Sequence, residues 1–274
     1  MITNPELAYS AAAAESAVAR LVISCSVRTV VSMSWISNWP SSRTVGPAMY
    51  SRRLRYRACP SAVRSTCALP PISASTSFAA AAATPLAGGT AQVVLSRLAL
   101  GKGTRLLVLG ASGGVGLFLL QLTAAAGIET IAVGRRAMHQ QMLGLGAAWC
   151  IDYTGEDVAQ RAVSLGGGPV DAIADLVGGQ SLAAAIPALR PGGQIAAIAT
   201  PELDLDPLLD ANITFHGVLI GDDGQRTRAL AAHLAEATLR PVISHLLPLS
   251  QAVQAHHIVE GKHAGGKIVL AVAS

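Results

Sequence analysis

The stretch Leu106-Leu107-Val108-Leu109-Gly110-Ala111-Ser112-Gly113-Gly114-Val115-Gly116 constrains this chain more than any other. An apolar run of strand length enters a glycine-rich turn, and the turn opens onto the apolar, helix-length run 117–126. Glycine lets such a turn approach a bound anion with no Cβ in the way. The helix N-terminus then presents N–H groups and the positive end of its dipole to that anion. In the G-x-G-x-x-G fingerprint, Gly113 and Gly116 take the second and third glycine places, and Ala111 stands in the first. A tight glycine turn without a ligand is the alternative. Strand, loop, helix and following strand all occur in order here, which favours a dinucleotide-binding loop.

The second strand ends in Ile131-Ala132-Val133-Gly134-Arg135-Arg136. An NAD site places Asp or Glu about 20 residues beyond the loop to hold the ribose 2′-hydroxyl. No carboxylate stands there, and two guanidiniums could clasp a 2′-phosphate bidentately. The coenzyme expectation is therefore NADP(H) rather than NAD(H), with a solvated arginine turn as the bland alternative.

Around this loop, apolar runs of strand length alternate with helical ones. Strands are expected at Arg105–Leu109, Glu129–Val133, Trp149–Ile151, 172–175, 194–198, 213–220 and 267–272. Helices are expected at 77–83, 88–100, 114–126, 137–145, 156–164, 180–189, 223–237 and 250–260, with Pro85, Gly88 and Gly89 separating the first two. That alternation specifies βαβ units, and so an α/β fold with a doubly wound parallel sheet of the Rossmann type. The expected division is an atypical, poorly ordered segment 1–72, a dinucleotide-binding domain 73–244 and a C-terminal segment 245–274.

Composition supports a folded chain: 51% of residues are apolar and 13% charged. No run of about 18 uncharged apolar residues occurs, Arg20 and Arg28 interrupting the best candidate, 17–36. A membrane partner is not expected. The first residues lack the basic start, apolar block and cleavage site of a secretory leader. Cys25, Cys59, Cys67 and Cys150 show no paired spacing, which points to a reducing, cytoplasmic setting without a disulfide framework. The formal charge of +4 is uneven, since residues 1–72 carry eight Arg, two Glu and no Lys or Asp. That segment holds one glycine, Gly46, and shows little periodicity. It fits an organellar transit peptide, a basic nucleic-acid arm built on Arg52, Arg53, Arg55 and Arg57, or an out-of-frame stretch without designed structure. The last is favoured, and no nucleic-acid partner is expected.

From about Ile72 onward the chain resembles the medium-chain dehydrogenase/reductase superfamily, in its zinc-free, quinone oxidoreductase-like branch. The resemblance rests on motifs in order: Ala80 to Ala91 around Pro85, Gly88 and Gly89; Gly110 to Gly116; Leu145-Gly146-Ala147-Ala148; and Ile151-Asp152-Tyr153. Asp175-Leu176-Val177-Gly178-Gly179, Pro191-Gly192-Gly193 and Gly266-Lys267-Ile268-Val269-Leu270 complete the series. It implies hydride transfer from NADPH to a small molecule, a quinone or an α,β-unsaturated carbonyl. By similarity, Ala111, Ser112, Gly113, Gly114, Val115 and Gly116 hold the diphosphate. Gly134, Arg135, Arg136 and Tyr153 surround the 2′-phosphate, and Val177, Ile198 and Ala199 line the nicotinamide side. Tyr153 is as readily a half-buried aromatic at a strand end. A homodimer through strand 213–220 is expected by the same analogy.

Family members begin with a GroES-like catalytic lobe, which residues 1–72 do not resemble. Residues 245–274, which in the family return to complete that lobe, are present as a residual piece. No proton donor carries over, so the catalytic residues stay unassigned and a non-catalytic NADP(H)-binding module is the alternative. No metal is expected, although His256, His257 and His263 lie close in sequence. Ser112 lacks the spacing of a nucleophile elbow, and Cys150 on a buried strand suits the core. Asp175 suits either coenzyme orientation or a turn cap.

Overall fold

The computed structural model describes residues 20–23, 30–34, 77–221, 223–261 and 264–272, the first two segments by backbone alone. The remainder of segment 1–72, including the Arg52–Arg57 cluster, lies outside the described residues. Those two segments are strands, β1 (Arg20–Ile23) and β2 (Val30–Ser34).

The short helix α1 (Phe78–Ala83) is capped by Ser77, whose Oγ accepts the Ala80 N–H at 3.1 Å. Next comes α2 (Pro85–Leu98), which begins three residues before the expected start. Pro85 stands in its first turn, where a missing N–H costs no intrahelical bond. Gly88 and Gly89 do not break the helix because they are contact points. A Cβ on Gly88 would lie 3.0 Å from Leu230 Cδ2, and one on Gly89 would lie 2.7 Å from Ile220 Cδ1.

Strands and helices then alternate: β3 (Arg105–Leu109), α3 (Gly114–Ala125), β4 (Glu129–Val133), α4 (His139–Gly144) and β5 (Trp149–Ile151). The second half continues with α5 (Val158–Gly166), β6 (Val170–Asp175), α6 (Ser181–Ala185), β7 (Leu189–Ala197), α7 (Asp206–Asp210) and β8 (Thr214–Gly217). The sheet order is β5-β4-β3-β6-β7-β8, with every neighbouring pair parallel. This is the doubly wound Rossmann arrangement, whose order reverses between β3 and β6.

Period-two alternation divides the core between the two faces of the sheet. Leu106, Val108, Ala172 and Ala174 pack with Val94, Leu98, Phe118 and Leu119 from α2 and α3. Leu107, Leu109, Ile131, Ile173 and Ile195 pack with Ala162 and Leu182 from α5 and α6. Strand β3 is buried on both faces, which is why it reads as an unbroken apolar run. Each fully buried leucine or isoleucine contributes about 1.5–3 kcal/mol of transfer free energy.

The chain then forms α8 (Gly224–Ala235), β9 (Ile243–Pro248), α9 (Ala252–Glu260) and β10 (Lys267–Ala271). A second sheet has the order β1-β2-β10-β9, antiparallel except for the β10–β9 pair. Ile268 and Leu270 of β10 bury themselves against Ala255 of α9.

Candidate functional site

The site grows from the end of β3. Gly110 has φ +74°, a left-handed conformation that favours glycine, and a Cβ there would meet Val177 Cγ2 at 2.7 Å. The loop is tied to its neighbour strand by the Ala111 N–H, which donates to the Val133 carbonyl at 3.0 Å. Gly113 is the N-cap of α3 and supplies no side chain to cap it. A Cβ added to Gly113 would meet only the Gly110 carbonyl, at 3.3 Å. The opening turn of α3 is therefore uncapped by any side chain, as an anion cradle requires.

The other two glycines serve packing. A Cβ on Gly116 would fall 2.4 Å from the Ala111 carbonyl oxygen, so helix and loop touch backbone to backbone there. A Cβ on Gly114 would fall 2.6 Å from Lys267 Cδ, which lays the lysine stem across the start of α3. Lys267 is buried, and that burial pulls its ammonium pKa down to about 8. The sequence motif contains this lysine, but only tertiary packing brings β10 onto α3. Ser112 and Val115 are partly buried within the same loop and first turn.

Strands β4 and β5 run in register from Ile131↔Trp149 to Val133↔Ile151, which sets their C-terminal ends side by side. Gly134 leaves β4 with no room for a side chain, since a Cβ would meet Met142 Cε at 3.0 Å and Ser112 Oγ at 3.3 Å. Arg135 and Arg136 are exposed. Arg135 Nε donates to the Tyr153 hydroxyl at 3.0 Å, and Arg136 lies 4.0 Å from the Asp152 carboxylate. The Thr154 hydroxyl and N–H, both donating to Asp152 Oδ1, hold that carboxyl below the usual range. Tyr153 is 51% exposed, so its ring faces solvent as well as Arg135.

On the other side of β3, Val177 sits in the turn after β6, 39% exposed. Ile198 and Ala199 follow β7. With Ala197, Thr200, Pro201, Phe215, Gly217, Val218 and Leu219 they line a cavity of about 380 Å³. Sequence patterning placed Phe215, Val218 and Leu219 in a strand and a dimer edge but not in a site, because they are lining residues without a motif of their own. The expected site residues thus gather at one rim, the C-terminal ends of β3, β4, β5, β6 and β7. They divide into a group at 134–136 and 153, the loop 111–116, and a group at 177 and 198.

Among the described residues no group of three or more His, Cys, Asp or Glu side chains is placed to hold a metal ion. Cys150 is half-buried and its thiol is pushed up to about 11 by burial, so it is a packing residue at neutral pH. Among the described residues no helix is long and apolar enough to cross a membrane.

This arrangement recurs in known proteins. Residues 145–270 match the family described as zinc-binding dehydrogenase. The mitochondrial NAD(P)H oxidoreductase RTN4IP1 of Mus musculus is 32% identical over 194 residues, 62% of this chain and 48% of that protein. The solved quinone oxidoreductase of Coxiella burnetii aligns with a TM-score of 0.64 and 32% identity, over 70% of this chain and 60% of its own. The Escherichia coli quinone oxidoreductase, solved in complex with NADPH, aligns with a TM-score of 0.66 and 25% identity, over 72% of this chain and 66% of its own. The chain spans about half the length of the sequence relatives it matches. Over the part it shares with them, the chain is similar to medium-chain oxidoreductases, among them proteins named as quinone and NAD(P)H oxidoreductases.

Proposed function

We propose that this protein is an NADP(H)-dependent oxidoreductase that passes hydride to a quinone or an α,β-unsaturated carbonyl. The observation that carries this reading is the Arg135–Tyr153 pair, 3.0 Å apart at the end of β4 where an NAD site would hold an acid. NADP(H) supplies the hydride when bound. The chain's own residues bind and orient it. The N–H groups at the start of α3, from Gly113 to Gly116, take the diphosphate. Arg135 and Tyr153 take the 2′-phosphate, with Arg136 adding charge while Asp152 restrains it. Val177 and Ile198 flank the nicotinamide side, and the open, mostly apolar cavity formed by 197–201 with Phe215 and 217–219 offers the acceptor one wall.

In this reading 73–244 is the coenzyme domain, and 245–274 belongs to a second lobe of which 1–72 carries no recognisable catalytic motif. The cysteine spacing suits a cytoplasmic setting. Among the described residues strand β8 is the last of its sheet. Phe215 and Leu219 are exposed beside it, and they suit a homodimer through residues 213–220. A binder without turnover is the second reading, favoured by the missing catalytic motif.

The test is NADPH oxidation, followed by absorbance, against a panel of quinones and enones in the wild type and in Arg135→Ala/Arg136→Ala. Turnover with NADPH preferred, and the preference collapsing in the variant, supports the enzyme. Tight NADPH binding with no turnover on any acceptor would leave the non-catalytic reading.

A further inference from the structure

The sheet order itself assigns the two halves of the rim. With the diphosphate on α3 above β3, and Arg135 and Tyr153 on the β4–β5 side, the remaining half of a dinucleotide extends over β6 and β7. The structure at that half turns on the segment 175–179. Asp175 closes β6 with its side chain fully buried. Its Oδ1 accepts the N–H groups of Val177 and Gly178, both at 3.0 Å. Its Oδ2 is buried and has no hydrogen-bond partner among the described residues.

The turn that this carboxyl holds is stitched on both flanks. On one side Leu176 N–H donates to the Leu109 carbonyl at 3.2 Å, at the root of the phosphate loop. On the other, Gly179 N–H donates to the Thr200 carbonyl at 3.0 Å and Ile198 N–H to the Asp175 carbonyl at 3.0 Å. Gly178 has φ +77°, and a Cβ there would strike the Thr200 carbonyl at 2.8 Å. Val177 is the side chain of the turn that comes nearest Gly110: a Cβ there would lie 2.7 Å from Val177 Cγ2 and 3.7 Å from Leu176 Cβ. Without the carboxyl, two N–H groups of a tight turn lose their acceptor, and the turn loses the bond that fixes where Val177 stands. Keeping a carboxyl in such surroundings is costly, since burial pushes its pKa up.

We infer that Asp175 is a positioning residue for the nicotinamide half of the coenzyme, acting through the 176–179 turn to hold Val177 between the phosphate loop and the 197–201 wall of the cavity. This rests on the coenzyme reading above. It adds a residue that need not touch coenzyme and a division of affinity between the two halves of the ligand.

The experiment titrates two probes, NADPH and adenosine 2′,5′-bisphosphate, into the wild type, Asp175→Ala, Asp175→Asn, Val177→Ala and Asp175→Ala/Val177→Ala. Asp175→Ala is expected to weaken NADPH about tenfold, the worth of one or two lost hydrogen bonds, and to leave the bisphosphate unchanged. Asp175→Asn keeps an oxygen acceptor for both N–H groups and restores NADPH to within about threefold of wild type. Val177→Ala reproduces the split at about fivefold, and the double variant adds little to either single one. Should Asp175→Ala fail to fold, Val177→Ala and Asp175→Asn carry the test. Unchanged NADPH affinity in Val177→Ala, or a loss in Asp175→Asn that strikes both probes alike, overturns the positioning role. A wild type that binds neither probe overturns the coenzyme reading itself.

Discussion

Lys267 shows how much one side chain can depend on a distant backbone. Its stem crosses the first turn of α3 because Gly114 has no Cβ, and there it is 4% exposed. Burial pulls its pKa down to about 8 from the ordinary lysine value of 10.5. Between those values the unfolded chain binds more protons than the folded one, so the Lys267 contribution to stability rises with pH across that window. Lys267→Met is therefore expected to compare more favourably with the wild type at pH 7 than at pH 10. Urea denaturation of both proteins at pH 7 and pH 10 measures this, and an equal difference at both would contradict it. Cys150 carries a similar prediction. With its thiol near 11, alkylation of the native protein at pH 8 is expected to run about a hundredfold slower there than at a free thiol, as read by peptide mapping. The placement of the loop and of the arginine pair was legible in the sequence because each lies within a local motif. The burial of Lys267 was not, since it brings together segments far apart in the chain, whereas the two N–H bonds of Asp175 form the turn cap that its place in the sequence already suited.

At the scale of elements, β3, α3 and β4 fall where periodicity places them, because a buried parallel strand and a helix behind a glycine turn carry strong local signals. Strand β8 is the counterexample. The apolar pattern suggests 213–220, yet regular pairing stops at Gly217, with one further bond from Val218 N–H to the Ala197 carbonyl at 2.8 Å. Leu219 then leaves the sheet at 79% exposure. Strand β9 went unpredicted because its residues, Ile243 to Pro248, mix Ser and His among leucines and are all partly or fully exposed. Its pairing with β10 supplies what local propensity does not. The α3–loop junction gives the sharpest prediction at this scale. Gly116→Ala forces a methyl onto backbone atoms of Ala111 at 2.4–2.6 Å, which no rotamer change relieves. The expected cost is about 1–3 kcal/mol of stability. Its signature is a larger loss of NADPH affinity than a destabilising substitution in the α9 region produces, measured by denaturation and titration on the same samples.

For the whole molecule, one complete Rossmann sheet carries a second, four-stranded sheet built from the two ends of the described chain. Its edge strand β9 leaves Leu246 exposed, with Leu249 and Val253 just beyond. Phe215 and Leu219 border the edge of the larger sheet at β8. Apolar side chains along an unpaired edge favour association. If the dimer proposed through 213–220 forms, Phe215→Glu/Leu219→Lys is expected to turn it to monomer in analytical ultracentrifugation. A dimer that survives this change would place the interface elsewhere.

In the proposed function the glycine loop and the β4 arginine rim select NADPH. The decisive experiment is a calorimetric titration of the wild type and of Arg135→Ala/Arg136→Ala with NADPH and NADH. Charge-assisted bonds to a 2′-phosphate predict an NADPH preference of about tenfold to a hundredfold that disappears in the variant, with NADH affinity unchanged. Equal affinity for the two coenzymes in the wild type, or a preference that survives loss of both arginines, would contradict it.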